Sequence, residues 1–227
     1  MSRVMKKQLF HPKDPGSAIT HFIGMVLVAF AMIPLFIHTL HNSSGHIING
    51  ASMLIFSISM LLLYTASTVY HTFDLGNRIN CILKKCDHMM IFIMIAGSYT
   101  PVCLIVLHNT AGYAMCAMVW AMAFIGIIVK GLWITCPKWF SSVIYIGMGW
   151  TCLFAFSQII HNLPFSAFIL LLAGGILYTV GGVIYALKLK IFNERHKNFG
   201  SHEIFHIFVM LGSICHYIMM YAYVAHM

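Results

Sequence analysis

The chain has 227 residues, of which 60% are hydrophobic and only 8% carry a charged side chain. A soluble domain has about 25% charged residues, so this composition excludes an ordinary soluble fold and indicates a polytopic membrane protein. The seven cysteines form no C-x-x-C pair and lie mostly in apolar stretches, which argues against a disulfide framework. The net charge of +8 needs no nucleic-acid partner, because the basic residues follow a membrane topology.

Apolar runs along the chain predict membrane-spanning helices, each of which needs roughly 20 residues. In chain order the predicted spans cover residues 18–40, 47–71, 87–107, 112–134, 139–160, 164–187 and 202–225. The predicted fold is an all-α integral membrane protein, a seven-transmembrane helix bundle. We expect a basic cytoplasmic segment at 1–17 and a single transmembrane domain at 18–227. The first run is too long for a signal-peptide core and is predicted to be retained.

All thirteen Lys and Arg residues fall on one side of this topology. They occur in the N-terminal segment, at the end of the fourth span, and in the connections after the second, fourth and sixth spans. The opposite connections, at 41–46, 108–111 and 161–163, carry none. By the positive-inside rule the N-terminus is predicted to be cytoplasmic and the C-terminus to be outside.

Five polar side chains are predicted to meet at the cytoplasmic end of the bundle. His202 and His206 share one face at the start of the seventh span, because residues four apart on a helix are neighbours. Ser67 and His71 share a face at the end of the second span in the same way. Asp87 is the first residue of the third predicted span. Ionisable groups at membrane depth are costly and mark function.

Three neutral imidazoles with an open fourth position are typical of a catalytic zinc site. The sequence therefore predicts that His71, His202 and His206 bind Zn²⁺, with Asp87 and Ser67 acting beside the metal. Each residue taken alone has a simpler interpretation: Ser67 could bond the carbonyl four residues earlier, Asp87 could be an interfacial charge, and His71 could be an interface histidine.

Two further histidines differ in whether their predicted depth suits the same site. His21, in the first turn of the first span, has the right depth and is a candidate for a supporting role. His216 lies on nearly the same face as His202 but about 21 Å along the helix axis, too far to share a metal.

The stretch 202–206 also matches H-E-x-x-H, the zinc-protease motif, whose glutamate is a general base. No acidic residue or histidine at the right depth follows it, so a third ligand has to come from upstream. A carboxylate near a helix N-terminus is favourable by itself. We therefore expect Glu203 to stabilise the N-terminus of the seventh helix. The protease interpretation is then a minor alternative.

These segments together resemble the hemolysin III family, which is related to the progestin and adiponectin receptors and, more distantly, to alkaline ceramidases. The resemblance rests on Ser67-Thr-Val-Tyr-His71, Lys84-Lys-Cys-Asp87-His, Ile95-Ala-Gly-Ser-Tyr-Thr-Pro101, Gly147-Met-Gly-Trp150, Gly174-Gly-Ile-Leu-Tyr178 and His202-Glu-Ile-Phe-His206-Ile-Phe-Val209. It implies a zinc site near the cytoplasmic leaflet, with His71, His202 and His206 as the ligands. Asp87 would hold the zinc-bound water, with Ser67 next to it.

One departure from the family pattern lies before the first span. The acidic pair often found there in bacterial members is absent, and Lys13-Asp14-Pro15 stands in its place. The departure affects none of the predicted ligands.

The expected function is hydrolysis of a lipid amide or ester within the membrane, with membrane lipids as partners and a bacterial plasma membrane as location. Two alternatives stay open. One is a receptor-like or sensor protein in which zinc is structural, and the other is the lytic or channel activity that the family name suggests.

Overall fold

The computed structural model describes residues 12–43, 46–187 and 200–227. Within these residues seven helices are long and apolar enough to cross a membrane, which confirms the predicted all-α fold. In chain order they are α1 (Pro15–Asn42), α2 (His46–Thr72), α3 (Asn77–Leu107), α4 (Thr110–Leu132), α5 (Lys138–Asn162), α6 (Phe165–Leu187) and α7 (Ser201–Ala222). Seven of the basic residues used to predict the topology lie outside the described residues: Arg3, Lys6, Lys7, Lys188, Lys190, Arg195 and Lys197.

Two helices begin three or more residues earlier than their apolar runs. The α3 helix starts at Asn77 rather than at residue 87, so its first turns carry Arg78 and Lys84. The apolar run marks only the part of a helix that lies in hydrocarbon, whereas backbone hydrogen bonding continues beyond it. The α1 helix starts at Pro15 rather than at residue 18, and proline suits a first helical position because its missing N–H has no partner there.

Neighbouring helices run in alternate directions, so α1, α3, α5 and α7 begin where α2, α4 and α6 end. We call this the basic end, because the described lysines and arginine occur there. Their positions are Lys13, Arg78, Lys84, Lys85, Lys130 and Lys138. The α2 helix packs against α1 and α3, and α7 packs against α1 and α6. This arrangement brings the last turn of α2 and the first turns of α7 to the same level.

An inserted side chain breaks the regular hydrogen bonding of α5. The Tyr99 hydroxyl donates to the Gly149 carbonyl at 2.5 Å and accepts the Cys152 N–H at 2.8 Å. The helix changes to 3₁₀ geometry over Trp150–Ala155, directly after this insertion. A side chain that enters the i→i−4 ladder is a recognised cause of such a distortion. The distorted segment lines an internal cavity described below.

Glycine lets α6 approach α7 closely. A Cβ atom at Gly174 would lie 2.4 Å from the His216 ring, and one at Gly181 would lie 2.8 Å from Phe208 Cβ. The neighbouring Gly175 has no such atom within 4 Å. Small residues allow helix backbones to pack tightly where no hydrophobic force between helices exists in lipid.

The variant Gly174→Ala should therefore be destabilised, by about 1–3 kcal/mol for an overpacked site. Gly175→Ala is the matched control and should be neutral, because its added methyl group enters open space. Thermal unfolding of both purified variants in detergent would measure the difference. Equal stability of the two variants would contradict the close α6–α7 contact.

Candidate metal centre

Three histidines from α2 and α7 converge at the basic end. The candidate ligand atoms of His71, His202 and His206 all lie within 4.8 Å of one another. The Nε2 atoms of His71 and His202 are 3.1 Å apart. Two nitrogens bound to a tetrahedral zinc ion are separated by about 3.3 Å, given Zn–N bonds of about 2.05 Å. The group is therefore shaped to hold a metal ion.

The hydrogen-bond partner of His71 fixes which of its nitrogens is free. Its Nδ1 lies 2.9 Å from Oδ2 of Asp14, and a carboxylate can only accept, so Nδ1 carries the hydrogen. The lone pair is then on Nε2, which faces His202. A carboxylate behind a histidine in this way sets the tautomer, orients the ring and strengthens it as a ligand.

His206 is set in the same tautomer by a different partner. The Thr20 hydroxyl hydrogen is directed at the carbonyls of Gly16 and Ser17, each at 3.0 Å. Thr20 Oγ1 therefore accepts from His206 Nδ1, 3.2 Å away, and the lone pair of His206 lies on Nε2. Both His71 and His206 are only 2% exposed, so solvent does not compete for these nitrogens.

Asp14 is held in place by the end of α2. A helix leaves its last carbonyls without partners inside the helix. Here the backbone N–H of Asp14 donates to the His71 carbonyl at 2.9 Å, and Lys13 donates to Thr72 from its N–H and to Tyr70 from its Nζ. The hydrogen bond from His71 lowers the pKa of Asp14 below its ordinary value, which keeps this carboxylate ionised.

Sequence reasoning missed this role of Asp14. It treated Lys13-Asp14-Pro15 only as a departure from a family pattern, without consequence for the ligands. A usable signal was present, because Asp14 directly precedes the first helical proline and therefore lies at the depth predicted for His71. Only the packing of the segment on α2 reveals the contact.

Asp87 and Ser67 line one internal cavity together with His202 and His206. Asp87 is 7% exposed and does not belong to the group of three candidate ligands. The Ser67 hydroxyl is fully buried beside the Asp87 carboxylate and bonds no backbone carbonyl, so the alternative of a bond to the carbonyl four residues earlier is wrong. Both polar groups are thus available to a molecule bound in the cavity.

His21 lies against the histidine group without belonging to it. Its ring stacks on that of His206, with centroids 3.6 Å apart and an interplanar angle of 9°, and it meets Tyr64 edge-on. The side chain is 3% exposed, and neither ring nitrogen has a hydrogen-bond partner. A buried imidazole with both nitrogens free is unusual in proteins. It adds a polar group to the wall of the cavity.

Glu203 is engaged away from the three histidines. Its carboxylate accepts the Gly200 N–H at 2.8 Å and the Ser17 hydroxyl at 2.7 Å. The first bond satisfies a free N–H before α7, and the second ties α7 to α1. Both oxygens of the Glu203 carboxylate thus accept hydrogen bonds at the start of α7. This arrangement gives no support to a role of Glu203 as a protease-type general base.

The cavity has a volume of about 160 Å³ and runs from the metal group into the middle of the bundle. On α7 it extends from His206 to His216, about 15 Å at 1.5 Å per residue. Most of the wall between these points is apolar, and it includes Leu63, Ile95, Val102, Phe156, Ile159 and Phe168. A long, mainly apolar cavity with a cluster of polar groups beside the histidines suits an amphiphile.

Replacing Asp14 by alanine should weaken the affinity for Zn²⁺ by about 10- to 100-fold, because His71 loses the acceptor that fixes its tautomer. Asp74→Ala is the matched control, since this exposed carboxylate at the same end accepts hydrogen bonds from Asn80 and the backbone of Gly76, and no described histidine donates to it. Competition with a chromogenic chelator would measure both affinities. An Asp14→Ala affinity equal to that of Asp74→Ala would contradict the role of Asp14.

Comparison with known proteins places this chain in a family. The model of the family described as "Haemolysin-III related" matches residues 11–217. The chain is 35% identical to "Hemolysin-3" of Bacillus cereus over 205 residues, covering 90% of this chain and 88% of the relative. It is 36% identical to "Hemolysin-3 homolog" of Bacillus subtilis (strain 168) over 201 residues, covering 88% and 89%. The chain is thus a multi-pass membrane protein that belongs to the haemolysin III family.

Proposed function

We propose that this protein is a zinc-dependent hydrolase that cleaves an amide or ester bond of a lipid within the membrane. The observation that carries the proposal is that His202 and His206, two members of the three-histidine group, line a long and mainly apolar cavity. A metal group alone would be compatible with a structural role. The cavity adds space for a substrate whose polar group reaches the metal.

Zinc suits this donor set better than other common divalent ions. Magnesium and calcium prefer oxygen ligands, whereas three imidazoles with one open position are the ligands of several catalytic zinc sites. The tautomers fixed by Asp14 and Thr20 leave Nε2 lone pairs on two of the three histidines. Asp14 contacts His71, Asp87 lines the same cavity as His202 and His206, and these two carboxylates can balance a double positive charge.

Within this proposal Asp87 is the general base. Its carboxylate orients a water molecule and takes the proton as the water oxygen attacks the carbonyl carbon of the lipid. Asp87 then returns that proton to the leaving nitrogen or oxygen, whose bond to the carbonyl carbon breaks. Bound zinc would supply Lewis acidity at this position. The products are a fatty acid and an amine or alcohol.

Ser67 and the cavity wall position the substrate. The Ser67 hydroxyl lies beside the Asp87 carboxylate and, on substrate binding, can donate a hydrogen bond to the carbonyl oxygen, on which negative charge develops during the attack. The apolar wall from Leu63 to Phe168 would hold an acyl chain. Membrane lipids are therefore the proposed partners, and entry from the leaflet at the basic end brings the reacting carbonyl towards the histidines.

We also propose that the basic end is cytoplasmic and that the membrane is a bacterial plasma membrane. All described lysines and arginine lie at this end, and the positive-inside rule assigns it to the cytoplasm. The two Bacillus relatives support a bacterial setting. In this orientation the N-terminus is inside and the C-terminus is outside.

If the protein is a zinc-dependent hydrolase, some variants should lose zinc and turnover together, and others should lose turnover alone. The wild type and the control His161→Ala should contain zinc and release fatty acid from a panel of ceramide-like and acyl lipids. His71→Ala should lose both zinc and activity. Asp87→Asn should keep its zinc but lose about 10²- to 10⁴-fold in turnover, the usual contribution of a general base. Metal analysis and mass spectrometry of released fatty acid would measure these effects.

Three outcomes would contradict the proposal. Fatty acid release by His71→Ala at the wild-type rate would exclude a role for the metal. Zinc binding with loss of thermal stability on chelation, but no product from any lipid, would favour structural zinc in a receptor-like protein. Ion conductance in liposomes that persists in Asp87→Asn would favour a channel.

The proposed orientation predicts opposite results for two fusion points. Alkaline phosphatase folds only outside the cytoplasm, because its disulfides need an oxidising compartment. A fusion after Met227 should be active, and a fusion after Leu187 should be inactive. The reversed pattern of activity would show that the basic end faces outward.

A further inference from the structure

A second cluster of reactive side chains lies at the basic end, in the connection between α4 and α5. Lys130, in the last turns of α4, is only 2% exposed. Its Nζ donates to the Cys136 Sγ at 3.0 Å and to the Ser141 Oγ at 2.5 Å, and Cys136 and Ser141 are 3.3 Å apart. These three residues form what we call the Lys130 cluster. None of them contributes to the histidine group.

The charge of Lys130 makes this cluster unusual. A buried ammonium group is costly unless an anion balances it. Within residues 12–43, 46–187 and 200–227, no carboxylate oxygen lies within 4.0 Å of its Nζ. The C-terminal end of α4 offers only a partial negative charge. Of the two side chains that accept from Lys130, only the Cys136 thiol can readily become an anion near neutral pH.

The surroundings of Cys136 favour the thiolate. Burial by itself would raise the pKa of the thiol, but the hydrogen bonds from Ser141 and Lys130, together with the Lys130 charge, bring the pKa below its ordinary value. The nearby titratable groups are His88 on α3, Lys138 and Tyr145 on α5, and Tyr185 on α6. Hydrogen bonds between charged groups are shorter than neutral ones, which agrees with the 3.0 Å contact.

We propose that Lys130 and Cys136 form a buried ammonium–thiolate pair, and that Cys136 is the site at which this protein reacts with small oxidants such as hydrogen peroxide. The thiolate attacks one peroxide oxygen, a sulfur–oxygen bond forms, and the oxygen–oxygen bond breaks. The Lys130 ammonium gives a proton to the departing hydroxide, so that water leaves. The sulfur is oxidised to a sulfenic acid as the peroxide is reduced.

The position of Cys136 restricts which reagents can reach it. The residue is 8% exposed and lies outside the membrane-spanning helices, so a small neutral peroxide has access from the aqueous side. Cys81 and Cys86, near the start of α3, are exposed to all reagents. If the rate of oxidation depends on the fraction of thiolate rather than on exposure, Cys136 should therefore react faster than Cys81 and Cys86.

The test is the rate of sulfenic acid formation at each cysteine in the purified full-length protein. Protein treated with hydrogen peroxide at about pH 6.5, where an ordinary thiol is mostly protonated, would be trapped with dimedone and analysed by peptide mass spectrometry. Cys136 should react at least about 10-fold faster than Cys81, because Lys130 and Ser141 contact its sulfur and stabilise the thiolate. Lys130→Met should remove this advantage.

Lys85→Met is the matched control, because Lys85 donates to the Gly131 carbonyl at the same end of α4 without a role in the cluster. It should leave the Cys136 rate unchanged. If Lys130→Met does not fold, Ser141→Ala should still lower that rate by several-fold. Equal rates for Cys136 and Cys81 in the wild type, or a wild-type Cys136 rate in Lys130→Met or in Ser141→Ala, would overturn the proposal.

Discussion

The hydrogen bond from His71 to the Asp14 carboxylate is the interaction on which the candidate metal centre depends. It leaves the Nε2 lone pair of His71 directed at His202, and it anchors the start of α1 on the end of α2. Thr20 acts on His206 in the same way from nearly two turns further along the chain, within α1. The first helix contributes no metal-ligand candidate, yet Thr20 and the N-cap residue Asp14 set the tautomers of two of the three histidines. The centre therefore requires α1, α2 and α7 together.

The interior of the bundle is polar at one end and mainly apolar beyond it. Asp87, Ser67 and His21 surround the histidines, and two of these side chains have buried polar atoms without good hydrogen bonds. Such atoms cost about 1–3 kcal/mol each when nothing binds them, so they are expected where a ligand completes them. The apolar part follows α7 and the distorted segment of α5, where Tyr99 takes the place of a helical hydrogen bond. Fixed polar groups and an apolar cavity together favour a lipid-like ligand.

Much of this architecture could be predicted from the sequence, for identifiable reasons. The apolar runs give seven spans because hydrocarbon requires helices of that length, and the four-residue spacing of His202 and His206 places both on one face. Because neighbouring helices alternate in direction, His71 lies at the same depth and is the third candidate metal ligand. Asp14, the Tyr99 insertion into α5 and the Lys130 cluster were not predictable in this way. They depend on which way side chains point and on how connections pack, and hydropathy carries neither kind of information. The early start of α3 at Asn77 was missed for a related reason, since hydropathy reports membrane depth and not hydrogen bonding.

The proposed function requires zinc to be held by three imidazoles with one position open for a small molecule. X-ray absorption spectroscopy of the purified protein loaded with one equivalent of zinc would reveal this coordination. We expect a four-coordinate first shell at about 2.0–2.1 Å, with multiple-scattering features of three histidines and one additional oxygen ligand. The same spectrum from His206→Ala should lose one imidazole contribution. A shell with sulfur at about 2.3 Å, or one with fewer than two imidazoles, would contradict the account.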